Sequence, residues 1–183
     1  MTSKLFTPRF LTVAGIIIMA AAMRLIPHWP NFTPIAAMAL FGGVYLSKRY
    51  LAFVIPLSAM LVSDLILGFH TTMIAVYVAF SITVGIGILV SRKPRFFNIA
   101  GAAFGSTVLF FLITNFASWV GSPMYPQTFA GLMESYAAGL MFLNDGNGIS
   151  FFINSLLGDL FYTLVFFGVF YLARLKFPVL ATR

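Results

Sequence analysis

Between Ile149 and Ala173 the chain runs through a nearly hydrocarbon stretch, with a single amide, Asn154, and a single carboxylate, Asp159, set inside it. As a helix rising about 1.5 Å per residue, the run reaches roughly 37 Å, enough to cross a bilayer with some tilt. Asp159 then lies about 15 Å below the helix start, near mid-depth. An ionisable group at that depth is costly unless it faces protein, water or a partner. The run therefore requires other segments to surround it and to supply something polar.

The other segments are of the same kind. The 183 residues are 61% hydrophobic and 8% charged, with a mean hydropathy of +1.00, outside the range of a soluble globular domain. The reading is one all-α integral membrane domain over residues 1–183, with six transmembrane helices and no soluble part. The runs are Phe10 to Ile26, Ile35 to Ser47, Tyr50 to Gly68, Met73 to Val90, about Phe97 to Val120, and Ile149 onward. The first also fits a secretory signal with Ala20-Ala21-Ala22 as its cleavage site; retention as a helix is the preferred reading. The second run, at thirteen residues, is marginal for a span. Gly101-xxx-Gly105 in the fifth suits close helix contact, and the abundant phenylalanine reads as lipid-facing filler.

Residues 121–148 form the only long connection. Turn residues open it (Gly121, Ser122, Pro123, Pro126) and Asn144-Asp145-Gly146-Asn147-Gly148 close it, with a short helix over Phe129 to Leu143 between them. A connection this long in a small chain is commonly functional, and this one reads as an extracytoplasmic lid.

Charge placement orients the bundle. With six spans both termini share a side, and ten of the eleven basic residues fall there: Lys4, Arg9, Lys48, Arg49, Arg92, Lys93, Arg95, Arg174, Lys176 and Arg183. The positive-inside rule makes that side the cytoplasm, and the expected location is a cell membrane crossed several times. The net charge of +7 thus reports topology; no basic face interleaved with aromatics points to nucleic acid.

Arg24 is the exception, at the outer end of the first helix. Asp64, Asn115 and Asn154 lie at comparable outer depth, Asp159 lies deeper, and His28, Trp29, His70 and Trp119 ring the outer mouth. No charged residue is expected in the inner half of a span. Arg24 and Asp64 read either as an ion pair pinning two helices or as substrate contacts. Asp159 is either protonated and satisfied by Ser155 and Tyr162 on its own face, or meets a ligand donor. Asn115 and Asn154 are interhelical glue or site residues. His28 and His70 sit in turns, solvated or ligand-facing, and Trp119 is an interfacial belt residue or part of the mouth. Together Arg24, His28, Asp64, His70, Asn115, Trp119, Asn154 and Asp159 are the candidate substrate-binding set.

Several chemistries are missing. There is no cysteine, so disulfides and thiolate sites are excluded. No HExxH, GxSxG or P-loop pattern is present. No cofactor or metal site is read, and the chain is expected not to be an enzyme.

Six short helices with both termini inside and an outer polar pocket under a lid resemble the substrate-binding S-components of energy-coupling-factor (ECF) vitamin transporters. Arg24-Leu25-Ile26-Pro27-His28-Trp29-Pro30-Asn31-Phe32-Thr33-Pro34, Ser63-Asp64-Leu65-Ile66-Leu67-Gly68 and Phe151-Phe152-Ile153-Asn154-Ser155-Leu156-Leu157-Gly158-Asp159-Leu160 resemble a bacterial transport family related to those S-components. The resemblance implies capture of a vitamin or similar micronutrient from outside, and delivery by toppling against a coupling subunit driven by two ATPases. Members present an AxxxA-like face on helix 1 for docking; here Ala14, Ile18 and Ala22 break that pattern, and Gly101-xxx-Gly105 and the small face of the second helix are the substitutes. A solitary cobalamin-binding branch holds cobalt with a cysteine; without one, His28, His70 or Met73 would have to serve.

The expectation is therefore a substrate-binding membrane protein for a small nutrient. Its rivals are a proton-coupled secondary transporter or channel with Asp159 as relay, and an assembly protein whose polar residues only lock helices together.

Overall fold

The computed structural model describes residues 6–141 and 150–181, and the elements among them are all helical. They are α1 (Pro8–Met23), α2 (Ile35–Tyr45), α3 (Arg49–Leu67), α4 (Met73–Val90), α5 (Phe96–Gly121), α6 (Phe129–Met141) and α7 (Phe151–Lys176), with a 3-10 turn at Pro178–Leu180. Helices α3, α4, α5 and α7 are long and apolar enough to cross a membrane, while α1 and α2 are shorter apolar helices. Helix α6 begins at Phe129, where the sequence places the short helix of the 121–148 connection. Lys4, Leu143, the Asn144–Gly148 turn with Asp145, Ile149 and Arg183 lie outside the described residues.

Local chemistry marks the ends. The Thr7 hydroxyl accepts from Phe10 N at 3.1 Å, and Pro8 fills the first turn of α1, where its missing N–H costs nothing. Ser150 caps α7 in the same way, accepting from Ile153 N at 3.2 Å. Gly68, at φ 94°, closes α3 in a conformation that residues with a Cβ adopt rarely.

The bundle is built around α2. A helix apolar on every side must be buried on every side, and α2 is: each residue from Ala36 to Tyr45 is buried, with Met38, Ala39, Leu40 and Phe41 fully so. Helices α1, α3, α4, α5 and α7 all pack against it. At Gly43 and Gly87 the backbones of α2 and α4 nearly touch; a Cβ on Gly43 would lie 2.4 Å from Val84 O, and one on Gly87 2.6 Å from Leu40 O. The small face of α2 is thus consumed inside the chain. Gly101 and Gly105, by contrast, have nothing within 4 Å of a built Cβ, so this pair mediates no close contact among the described residues.

Phenylalanine is not only filler. Phe41, Phe80 and Phe170 are fully buried. Phe41 meets Phe167 at 5.3 Å and Phe170 at 5.7 Å, and Tyr45 meets Phe170 at 4.4 Å, an aromatic block joining α2 to α7.

Contacts also fix the two ends of the bundle. At one end Arg9, in the first turn of α1, donates to Tyr45 O at 3.2 and 3.3 Å and lies over the Tyr45 ring. Arg174 of α7 faces the Tyr45 hydroxyl. Arg9 is 6% exposed inside a helix, which corrects the expectation that this half of the bundle holds no charge. The α1 helix simply begins two residues earlier than its apolar run, and the tyrosine carbonyl and ring receive the guanidinium. The opposite end gathers the C-termini of α1, α3 and α5, the N-termini of α2, α4 and α7, and α6.

Candidate functional site

The shortness of α2 leaves space. It has 11 residues where α5 and α7 each have 26, so its N-terminus stops well below the end of the bundle. Above it lies a cavity of about 730 Å³, walled by α4, α5, α6 and α7 together with Arg24 and the 31–36 segment.

Gly158 sets the floor. A Cβ there would lie 3.1 Å from Phe32 Cα and 3.2 Å from Thr33 N, so glycine lets the Phe32-Thr33 backbone cross α7 at this point without being pushed outward by a few tenths of an ångström. That crossing delivers the start of α2 to the adjacent residue, Asp159. The Asp159 carboxylate faces the start of α2 at Ala36 and Ala37, and accepts from Thr107 Oγ1 of α5 at 2.7 Å. Its counter-charge is thus a helix N-terminus rather than a cation. The expected partners on its own face do not serve: Ser155 lines the cavity, and Tyr162 packs on the Phe32 ring at 5.7 Å.

Arg24 and Asp64 do pair, at 2.8 Å, with Asp64 only 2% exposed. Tyr77 donates to the second Asp64 oxygen at 2.8 Å, and Arg24 donates to Ser63 Oγ and to Met60 O at 3.5 Å. The pair ties the end of α1 to the last turns of α3 and the start of α4. Arg24 also faces the cavity; Asp64, behind it, does not.

Of the remaining candidates, His70 and Asn115 line the cavity, while His28, Trp119 and Asn154 do not. His28 lies in an exposed turn with its Nδ1 2.6 Å from Ile26 O. Asn154 is 3% exposed within α7. Trp119 holds the lid's root: its indole N–H donates to Pro126 O at 2.8 Å, and Gln127 donates back to Trp119 O at 2.7 Å. Asn115 donates to Phe111 O at 2.9 Å in its own helix. A Cβ on Gly139 would sit 2.3 Å from its Oδ1, so α6 lies directly on α5 there. Ser135 and Tyr136 of α6 donate to Asn115 O and Leu112 O at 3.1 and 3.2 Å, which fastens α6 to α5.

The chemical character of the chamber follows. Each of its two charged groups is answered within the protein, so the interior carries no uncompensated charge. What remains is a wall of hydroxyls (Thr33, Thr71, Thr72, Thr107, Thr114, Ser118, Ser155) against aromatic faces (Phe110, Phe111, Phe151, Phe152, Tyr125). His70 pairs with Thr72 at 3.1 Å. No group of three or more His, Asp or Glu is placed to hold a metal ion among the described residues.

Each half of this chamber comes from sequence blocks far apart in the chain, and those blocks lie within one family match. The chain belongs to DUF6580, a family of unknown function. The match covers residues 4–180, which include the 24–34 turn, Asp64, the lid and the Gly158-Asp159 step. No curated protein and no solved structure matches the chain.

Sequence reading passes over the threonines and the cavity phenylalanines. Thr114 donates to Phe110 O of its own helix at 2.8 Å, and Thr107 Oγ1 lies 3.1 Å from Ala103 O, the carbonyl that a membrane threonine commonly bonds when no other acceptor is present. In sequence, neither is distinguishable from a helix-internal hydroxyl. Thr107 is the twelfth residue of α5, with no nearby charge to single it out.

Proposed function

We propose that the chain is a six-span protein of the bacterial cytoplasmic membrane with both termini in the cytoplasm. In this reading it is an S-component-like substrate-binding protein that takes up a small, uncharged, hydrogen-bonding molecule with an aromatic or otherwise flat part. The observation that carries this is the 730 Å³ chamber above α2, polar in its hydroxyls, flat in its phenylalanines and charge-balanced by Arg24–Asp64 and Asp159–α2. Small-ligand sites are mostly apolar clefts of this size with a few placed polar groups.

In a bilayer the geometry acquires a direction. An α2 of about 16 Å covers only half of a hydrocarbon core of about 30 Å, so the chamber occupies the outer half and opens outward. Helix α6, hinged at Trp119–Pro126–Gln127 and fastened through Ser135 and Tyr136, is the element that opens to admit cargo. The protein binds and releases; it carries out no reaction. Movement of cargo inward falls to an ECF-type coupling subunit and its ATPases, as the resemblance implies. A proton-relay role for Asp159 fits less well, because its carboxylate is tied to Thr107 of α5 and faces the N-terminus of α2.

The test is mass spectrometry of small molecules that copurify with the detergent-solubilised protein, wild type against Thr114→Phe. Thr114 lines the chamber and its hydroxyl bonds only carbonyls of its own helix, so the larger ring fills space without breaking a tie between helices. A neutral compound enriched with wild type and lost from a variant of equal thermal stability is expected. No enriched compound in either, or equal retention in both, overturns the reading.

A further inference from the structure

The end of the bundle away from the cavity holds a second concentration of chemistry that ligand capture does not use. Tyr45 lies there between two guanidinium groups: Arg9 on its carbonyl and ring face, Arg174 on its hydroxyl. Arg174 is half-buried, and its Nε has no hydrogen-bond partner among the described residues. The basic connections at 48–49 and 92–95 emerge at the same end, because Gly43 and Gly87 place the α2 and α4 C-termini side by side. Lys176, the last residue of α7, adds a further exposed cation. The described carboxylates lie elsewhere: Asp64 and Asp159 beside the cavity, Glu134 on α6.

We propose that this end is a binding site for an anionic phospholipid headgroup, with Arg174, oriented by Tyr45, as the residue that engages its phosphate. The inference rests on the membrane reading above and not on what the cavity binds. A planar guanidinium donates in pairs to phosphate oxygens. Its orientation by an aromatic hydroxyl at the apolar–polar boundary is the geometry a headgroup meets beside lipid-facing α7. The surrounding lysines and arginines add attraction to an anionic leaflet, falling off within a Debye length.

The full chain is reconstituted in vesicles of equal phosphatidylcholine and phosphatidylglycerol, extracted in mild detergent, and its retained lipid counted by native mass spectrometry. Phosphatidylglycerol is expected to be retained over phosphatidylcholine, and R174Q to lower that preference about fivefold. The exposed-loop change R92Q is expected to lower it less. If R174Q does not fold, Y45F, which removes only the hydroxyl that Arg174 faces, is expected to reduce retention in the same direction. Equal retention of the two lipids, or an unchanged preference in a folded R174Q or in Y45F, overturns the site. Displacement of phosphatidylglycerol by millimolar inorganic phosphate assigns the arginine to free phosphate and overturns the lipid. An empty cavity leaves these results unchanged, whereas failure to insert into vesicles overturns the membrane reading itself.

Discussion

Arg24 and Asp159 were the two charges most conspicuous in the sequence, and packing gives them opposite kinds of partner. Arg24 meets a carboxylate at 2.8 Å; Asp159 meets the amide end of a helix. Removing one member of a buried pair leaves the other unanswered, so Arg24→Ala is expected to cost about 3–5 kcal/mol in thermal unfolding of the detergent-solubilised protein. Arg24→Met combined with Asp64→Leu should recover most of that loss, and a double variant no more stable than the single one would show that the pair is not the source. Asp159→Asn keeps an acceptor oxygen over the α2 N-terminus but removes the charge. A loss of about 1–2 kcal/mol is expected, the usual scale of a cap and helix-dipole contribution. Stability equal to wild type would mean that the carboxylate does not hold α2. Each of these residues announces itself in the sequence as a costly group within an apolar run, but its partner sits 40 or more positions away, or is a backbone amide with no identity of its own.

Helix α2 shows the same limit one level up. Its composition, small and apolar on every side, marks it as buried, while the question of which neighbour comes closest is settled by two glycines that any reader would pass over. Gly43→Ala and Gly87→Ala put a Cβ under 3 Å from backbone atoms that cannot turn aside. Each is expected to lower stability by about 1–3 kcal/mol, the usual range for overpacking, measured as a shift of the unfolding midpoint. Gly105→Ala, with open space around it, is expected to be neutral or slightly stabilising, since alanine is the better helix former. A larger loss at Gly105 than at Gly43 would place the close helix contact in α5 after all. The GxxxG spacing was legible, but it records only that two small residues share a helix face; among the described residues nothing approaches that face.

At the level of the molecule, the alternation of the helices and the segregation of charge make a topology that can be read out directly. The chain has no cysteine, so single-cysteine variants report one position each. Lys93→Cys, in the basic connection between α4 and α5, is expected to react with a membrane-impermeant maleimide only after the cytoplasmic face is exposed. Tyr125→Cys, in the turn between α5 and α6, is expected to react in intact cells. The reverse pattern would invert the bundle and turn the chamber inward. The chamber itself is a property of the whole fold: it exists because the central helix is about half as long as its neighbours and because α6 covers what that shortness leaves open.

Hydropathy, basic clusters and the placement of Arg24, Asp64, Asn115, Asn154 and Asp159 are local properties, and they were enough to establish a helical membrane-type chain with its polar groups gathered toward one end. Composition acts residue by residue, so it survives in a linear string. The assignment of Asp159 to a helix N-terminus, the turn of Asp64 away from the cavity, the burial of Arg9 against Tyr45 and the recruitment of Thr107 are distances between segments remote in sequence. Such distances come into being when α2 is enclosed and Gly158 lets another backbone cross, and no single stretch of the chain carries them.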